Sequence, residues 1–231
     1  MKCEILFEDE HLLVIRKPAG LATESADLLS PDVVSEMKSY LKATYIGLVH
    51  RLDQPVEGIL ALGKTQKATD ALSRQLSSGA LKKSYFALAF EERGAVSRQK
   101  GESFTLTDYM KKDPVSRKAV FYPGGKEPSR EEQKGPKGYK KAVLQCSILE
   151  RDGEGVLSCR IRIDTGRFHQ IRAQMARAGY PLLGDQKYGT EGSLDASEKT
   201  GHRTVALCAD QLTLLHPVSG REMQFSVTPN I

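Results

Sequence analysis

The sequence predicts an α+β fold with a largely antiparallel mixed sheet flanked by helices, on three observations. Period-two alternation recurs along the chain, two helical stretches carry recognisable end signals, and the patterns mix without a regular strand-helix-strand beat. Residues 5–7 and 12–15 are separated by the polar corner Glu8-Asp9-Glu10 and closed by Lys17-Pro18-Ala19-Gly20, so they read as two short strands and a tight turn. Ser30-Pro31 has the form of an N-cap followed by a first-turn proline. Val34, Met37 and Leu41 then recur at helical spacing, which predicts a helix over 31–43. Thr65 is placed to cap a second helix whose Ala68, Ala71, Leu72 and Leu76 share one face, and Gly79 ends it. Over 84–90, Tyr85, Ala87 and Ala89 alternate with Phe86, Leu88 and Phe90 as in a strand. Runs 142–149 and 156–163 also alternate and are joined through Asp152-Gly153, which reads as a hairpin. In the second run Leu157, Cys159, Ile161 and Ile163 face one way and Ser158, Arg160 and Arg162 the other, a half-solvated antiparallel strand. The Pro- and Gly-rich stretch 122–141 reads as a mobile excursion, and 190–204 looks similar.

A length of 231 residues favours one large catalytic domain or a domain with a small appendage, and no internal repeat is evident. Hydrophobic residues at 39% and charged residues at 27% exclude a collagen-like, disulfide-scaffold or wholly disordered chain. Leu12-Leu13-Val14-Ile15 is closed off by Arg16 and Lys17, and no apolar run approaches the roughly 20 residues that cross a bilayer. The first ten residues carry Glu4, Glu8, Asp9 and Glu10 and do not read as a secretory signal, so a cytoplasmic location without membrane attachment is expected. The formal charge of +5 is compatible with a polyanionic partner. Cys3, Cys146, Cys159 and Cys208 are scattered without metal-ligand spacing and are expected as reduced, mostly buried thiols.

Two polar clusters carry candidate chemistry. His50-Arg51-Leu52-Asp53-Gln54-Pro55 lies between Ile46-Gly47-Leu48-Val49 and Gly58-Ile59-Leu60-Ala61-Leu62, and Pro55 and Gly58 mark it as a loop between strands. Asp53 is either a carboxylate kept ionised by a nearby cation such as Arg51, or a turn cap paired with it. Asp164-Thr165-Gly166-Arg167-Phe168-His169-Gln170-Ile171-Arg172 leads from a strand through a glycine turn into a short helix stopped at Gly179. At about 100° per residue, Phe168, Ile171, Met175 and Ala178 form its apolar face, with Arg172 about 40° from Phe168 and Arg177 pointing away. Arg172 is then either partly buried and in want of a carboxylate, or snorkelling at the helix edge. His169 is a candidate base for Asp53 or a metal ligand with His50, His202 or His216, yet no His-Glu-x-x-His spacing occurs. Neither Ser84 nor Ser103 has Gly-x-Ser-x-Gly context and Gly63-Lys64-Thr65 lacks the upstream glycine of a phosphate loop, so acyl hydrolase and nucleotide triphosphatase readings fail.

These residues resemble the RluA family of RNA pseudouridine synthases over nearly the whole chain. His50-Arg51-Leu52-Asp53 with Gly58-Ile59-Leu60-Ala61-Leu62 is similar to the family's aspartate motif, and Lys83-Ser84-Tyr85-Phe86-Ala87 to its tyrosine strand. Thr165-Gly166-Arg167-Phe168-His169-Gln170-Ile171-Arg172, followed by Gly179-Tyr180-Pro181-Leu182-Leu183-Gly184-Asp185 and Tyr188-Gly189, resembles its arginine motif. Lys17-Pro18-Ala19-Gly20 and Leu215-His216-Pro217 resemble segments of its opening and closing strands. The resemblance implies a pseudouridine synthase fold with a central catalytic cleft, one catalytic domain over 1–231, and no separate N-terminal RNA-binding module. It implies Asp53 as the catalytic carboxylate, Arg172 as its ion-pair partner and Tyr85 as the ring that stacks on the target base. Arg51 would help hold the flipped nucleotide open, and Leu182 or Leu183 would add an apolar wall. The implied substrate is a uridine in structured ribosomal or transfer RNA, modified by a monomer without cofactor, metal or obligate protein partner. An RNA-binding or RNA-chaperone protein of the same fold with little catalysis is the alternative. Gln54-Pro55-Val56-Glu57 departs from the Thr and Ser that the family more often shows before the glycine, which bears on substrate fit more than on reaction type.

Overall fold

The computed structural model describes residues 1–25, 27, 30–123 and 127–231. The described chain folds as two compact units, Met1–Tyr85 with Leu207–Ile231, and Phe86–Ala206. It first lays down β1 (Glu4–Glu8), β2 (Leu12–Lys17), α1 (Val33–Leu41), β3 (Gly47–Leu48), β4 (Glu57–Gly63) and α2 (Gln66–Ser78). It then crosses from the first unit to the second along β5 (Lys82–Phe90). The second unit holds β6 (Ser103–Lys112), β7 (Ala119–Phe121), β8 (Lys140–Arg151), β9 (Val156–Ile163), α3 (Gln170–Arg177) and α4 (Glu191–Thr200). The chain returns to the first unit for β10 (Leu207–Leu215) and β11 (Glu222–Ser226). The predicted α+β class with its largely antiparallel pairing is what forms.

In the first unit β4 is the organising strand. All seven of its residues are buried, which is why the sequence after Glu57 is a continuous apolar run rather than an alternation. β2 runs antiparallel along one edge, with Leu13 opposite Leu62 and Lys17 opposite Gly58. β3 pairs with Gly63 and Leu62, and β10 pairs in parallel with Glu57 and Gly58. Leu72 of α2 packs with Leu12, Val14, Ile59, Ala61, Leu212 and Leu214 to form the unit's apolar core. Thr65 and Gly79 cap α2 as predicted, the threonine hydroxyl accepting from Ala68 N and the glycine taking φ 76°. For α1 the expected cap is corrected: the helix begins at Val33, and Asp32 is the N-cap, its carboxylate accepting from Ser35 N. Pro31 lies before the cap, and the charged acceptor outcompetes Ser30 for the first-turn amides.

In the second unit β9, β8, β6 and β7 pair successively and antiparallel. The predicted β8–β9 hairpin is present, its turn fixed by the Asp152 carboxylate accepting from Glu154 N and Val156 N. Met110, Ala119, Ala142 and Ala173 pack together where α3 meets this sheet. Strands β6 and β7 were not anticipated. The expectation for 190–204 is also corrected, because α4 occupies most of it, with a capping box between Thr190 and Ser193 and Gly201 at its end. Within the 122–141 excursion, 124–126, including Gly124 and Gly125, lie outside the described residues.

Gly58 shows how tightly β4 and β10 close. Its φ is 130°, and a Cβ there would stand 2.5 Å from the backbone N and O of Ala209. We expect Gly58→Ala to destabilise the protein by about 2–4 kcal/mol, combining backbone strain with overpacking. Chemical denaturation of the two proteins measures the difference.

Candidate active site

Asp53 stands half-buried in the loop between β3 and β4, and the loop's shape is imposed by the segment after β2. The side chain responsible is Lys17, the last residue of β2 and fully buried. Its ammonium donates to the carbonyls of Pro18 at 2.9 Å, Leu21 at 2.7 Å and Gln54 at 3.1 Å, so all three N–H groups are used. Gln54 O also accepts from Gly20 N at 2.8 Å. Thr23 Oγ1 donates to Leu52 O at 2.8 Å and accepts from Leu52 N at 3.2 Å. The residues on both sides of Asp53 are thereby pinned, and Val56 N closes the turn on Asp53 O at 3.0 Å. Burial pushes the Lys17 pKa down to about 8, against the opposing pull of Cys3, Asp53 and Glu57.

The departure at 54–57 is accommodated within this frame. The Gln54 amide donates to Gly20 O at 3.1 Å. Glu57 is buried and accepts from Arg16 at 3.4 Å and from Asn230 N at 2.6 Å. Arg51 projects outward, its side chain 71% exposed and 4.0 Å from Glu24.

Tyr85 is buried on β5, its phenol pKa raised by burial and by the charge of Asp53. The first unit therefore brings together the carboxylate and the ring that the sequence singled out. His50 is buried too, with Nε2 accepting from Ala61 N at 3.3 Å, and burial holds its pKa well below the usual histidine value. The ring is neutral with its proton on Nδ1.

Arg172 and Leu183 belong to the second unit. Arg172 is 5% exposed, as its helical phase predicts, and forms a two-point pair with Asp185: Nε to Oδ2 and Nη2 to Oδ1, each 2.7 Å. Asp185 was missed by sequence reasoning, since nothing in a 13-residue separation announces a pair. The same carboxylate accepts from Lys187 N and Tyr188 N. The Tyr188 ring lies 5.3 Å from the Arg172 guanidinium carbon, and its hydroxyl meets Ala119 N and His169 Nδ1 at 2.7 and 2.9 Å. His169 itself sits at φ 51° at the start of α3, stacked on Phe168. Leu182 and Leu183 are buried, and Leu183 exchanges backbone bonds with Leu88 O and Ala206 N. Arg177 lies over the Phe121 ring and 3.6 Å from Asp108, its side chain 44% exposed. His216 pairs with Asp9 and His202 with Thr200. Among the described residues no three His, Cys, Asp or Glu side chains gather as a metal site.

Comparison with known proteins bears directly on this arrangement. A family profile described as RNA pseudouridylate synthase matches residues 11–177. The dual-specificity RNA pseudouridine synthase RluA of Vibrio parahaemolyticus is 31% identical over 221 residues, covering 94% of this chain and 79% of that protein. The chain belongs to the RluA family of RNA pseudouridine synthases. An uncharacterized RNA pseudouridine synthase of Synechocystis is 31% identical over 230 residues, and the RluA-family chain spans 62% of its length. A ribosomal large subunit pseudouridine synthase D of Nitrosomonas europaea is 32% identical over 229 residues, of which this chain covers 59% of the length. The RluA-family fold is shared with the solved structures of human RNA pseudouridylate synthase domain containing 4 and 1. Their TM-scores are 0.70 and 0.71 at 22% and 18% identity, over 98% of this chain and 88% and 83% of theirs.

Two outcomes follow from the geometry. Lys17→Met leaves three carbonyls without their donor and is expected to lower stability by about 2–4 kcal/mol at neutral pH. The Lys17 pKa in the fold lies below the 10.5 of a free lysine. The unfolded chain therefore holds more protons between about 8 and 10.5, and the stability of the lysine protein relative to Lys17→Met rises with pH across that window. Denaturant titrations of both proteins at the two ends of the window measure it. Arg172→Ala, which strands Asp185, is expected to cost about 3–5 kcal/mol, whereas Arg177→Ala costs under about 1. Thermal melts of the two variants in one buffer test the contrast, and equal small shifts would contradict it.

Proposed function

We propose that the protein is an RNA pseudouridine synthase that isomerises a specific uridine of structured ribosomal or transfer RNA, with Asp53 as the catalytic carboxylate. The observation that carries this reading is the pinned Asp53 loop, in which a carboxylate within a His50-Arg51-Leu52-Asp53 motif lies close enough to Tyr85 for its charge to help raise that phenol's pKa. Breaking the base-to-sugar bond, turning the uracil and forming a carbon–carbon bond is a net isomerisation, with no redox change and no hydrolysis, so the reaction asks for no cofactor or metal. Asp53 attacks the sugar or the uracil ring as a nucleophile, or removes a sugar proton to leave a glycal. Arg172, already oriented by Asp185, supplies the cation that keeps Asp53 charged and aimed. The target atoms of a stacked uridine are out of reach, so the nucleotide is flipped, at an unstacking cost of roughly a few kcal/mol. Stacking on Tyr85 offsets that cost, Arg51 holds the opened RNA, and Leu183 lines the apolar wall. The enzyme acts as a monomer in the cytoplasm, with RNA as its partner.

The test is Asp53→Asn, which keeps the shape and removes the charge. We expect it to abolish pseudouridine formation, mapped in cellular RNA with and without the protein, while RNA affinity stays within a small factor of wild type. Substantial turnover by the amide variant would remove Asp53 from the chemistry. Binding without any turnover by the wild type would favour an RNA-binding role.

A further inference from the structure

Lys83 is a cation whose position calls for an anion that the protein itself does not provide. It precedes Tyr85 by two residues on β5, so both side chains leave the same face of the strand, with backbones about 7 Å apart. Lys82, on the opposite face, is exposed, while Lys83 is half-buried and burial pushes its pKa down to about 8. By contrast Lys17 is answered by three carbonyls, Arg16 by Glu57 and Arg172 by Asp185. Among the described residues Lys83 takes part in no ion pair or hydrogen bond. Its ammonium is close enough to His50 to oppose protonation of that ring. The neutral His50 carries its proton on Nδ1, which is buried and meets no acceptor among the described residues. Two donors, one charged and one neutral, thus lie in one neighbourhood with Tyr85 and lack acceptors. A buried donor without an acceptor is unfavourable, and an incoming oxygen anion satisfies both.

We propose that Lys83 is the anion-binding side chain of the uridine site, its ammonium taking a phosphate oxygen of the nucleotide that stacks on Tyr85, with His50 Nδ1–H as the neutral donor beside it. The inference rests on the synthase reading and adds a phosphate contact to the residues already assigned. The ammonium is matched to a phosphate as a point charge, whereas a uracil carbonyl would need only a neutral donor.

The experiment compares wild type, Lys83→Met and Lys83→Arg on a transcript of the cellular RNA segment in which the wild-type protein forms pseudouridine. Dissociation constants are measured from about 50 to 200 mM KCl. We expect Lys83→Met to bind about tenfold more weakly at low salt and to reduce the slope of log affinity against log salt by about 0.7–0.9, one phosphate contact. Lys83→Arg should retain the wild-type slope. The melting temperature of Lys83→Met should equal or exceed that of wild type, because no internal partner is lost. An unchanged slope overturns the phosphate assignment, including the case in which affinity alone falls, which would point to a uracil carbonyl. A lowered melting temperature would make Lys83 a structural cation and also overturn it. Should the wild type form no pseudouridine in any cellular RNA, the synthase reading fails first, before any variant is compared.

Discussion

The buried ammonium of Lys17 is the interaction on which the first unit's working geometry depends. Taking a primary ammonium fully out of water is costly unless its hydrogens are met, and here three carbonyls from two separate chain segments meet them. Because two of those carbonyls follow β2 and the third belongs to Gln54, a single atom ties the end of one strand to the residue after Asp53. The bonds of Gly20 and Thr23 to the same loop extend that tie in both directions. The loop is held without secondary structure of its own, which leaves its side chains available for chemistry while its backbone stays fixed.

Much of this was legible in the residues, for reasons that differ by element. Helix α2 announces itself because an apolar face lies between a threonine cap and a glycine stop, and the structure keeps both ends. The β8–β9 hairpin is equally open, since alternation on either side of Asp152-Gly153 admits little else. Helix α4 escaped because its buried positions are Ser193 and Ser197, whose hydroxyls satisfy backbone groups such as Gly184 N rather than contributing apolar surface. Hydropathy has nothing to register there. Lys17 and Asp185 were quoted as parts of motifs but given no role, because a charged residue reads as solvated until its partners are known. Arg172 was recoverable by helical phase alone, while the carboxylate that grips it was not.

The departure at 54–57 also becomes intelligible in physical terms. Gln54 is long enough to carry its amide to Gly20 O, and Glu57, too polar to be buried alone, is received by Arg16 and by the chain near Asn230. Each unusual residue is met by a partner nearby, so the frame around Asp53 survives the change in side chains. In the second unit a comparable economy centres on Asp185, which orients Arg172 through its oxygens and holds the turn to Tyr188 through backbone amides.

The first unit is assembled from the two ends of the described chain, with the whole of the second unit spliced between them. Strand β4, which emerges from the ribosome early, has one stretch of its edge filled by β10, a strand made only after Phe86–Ala206 has been synthesised. At about 5–20 residues per second the delay is on the order of ten seconds. During that interval an apolar strand waits with an unpaired rim, while the second unit, continuous in sequence, has every residue it needs to fold on its own schedule. The order in which the units can be completed therefore differs from the order in which they are begun. The nascent chain can complete its middle first, and the loop bearing Asp53 acquires its finished support only when the final strands are released.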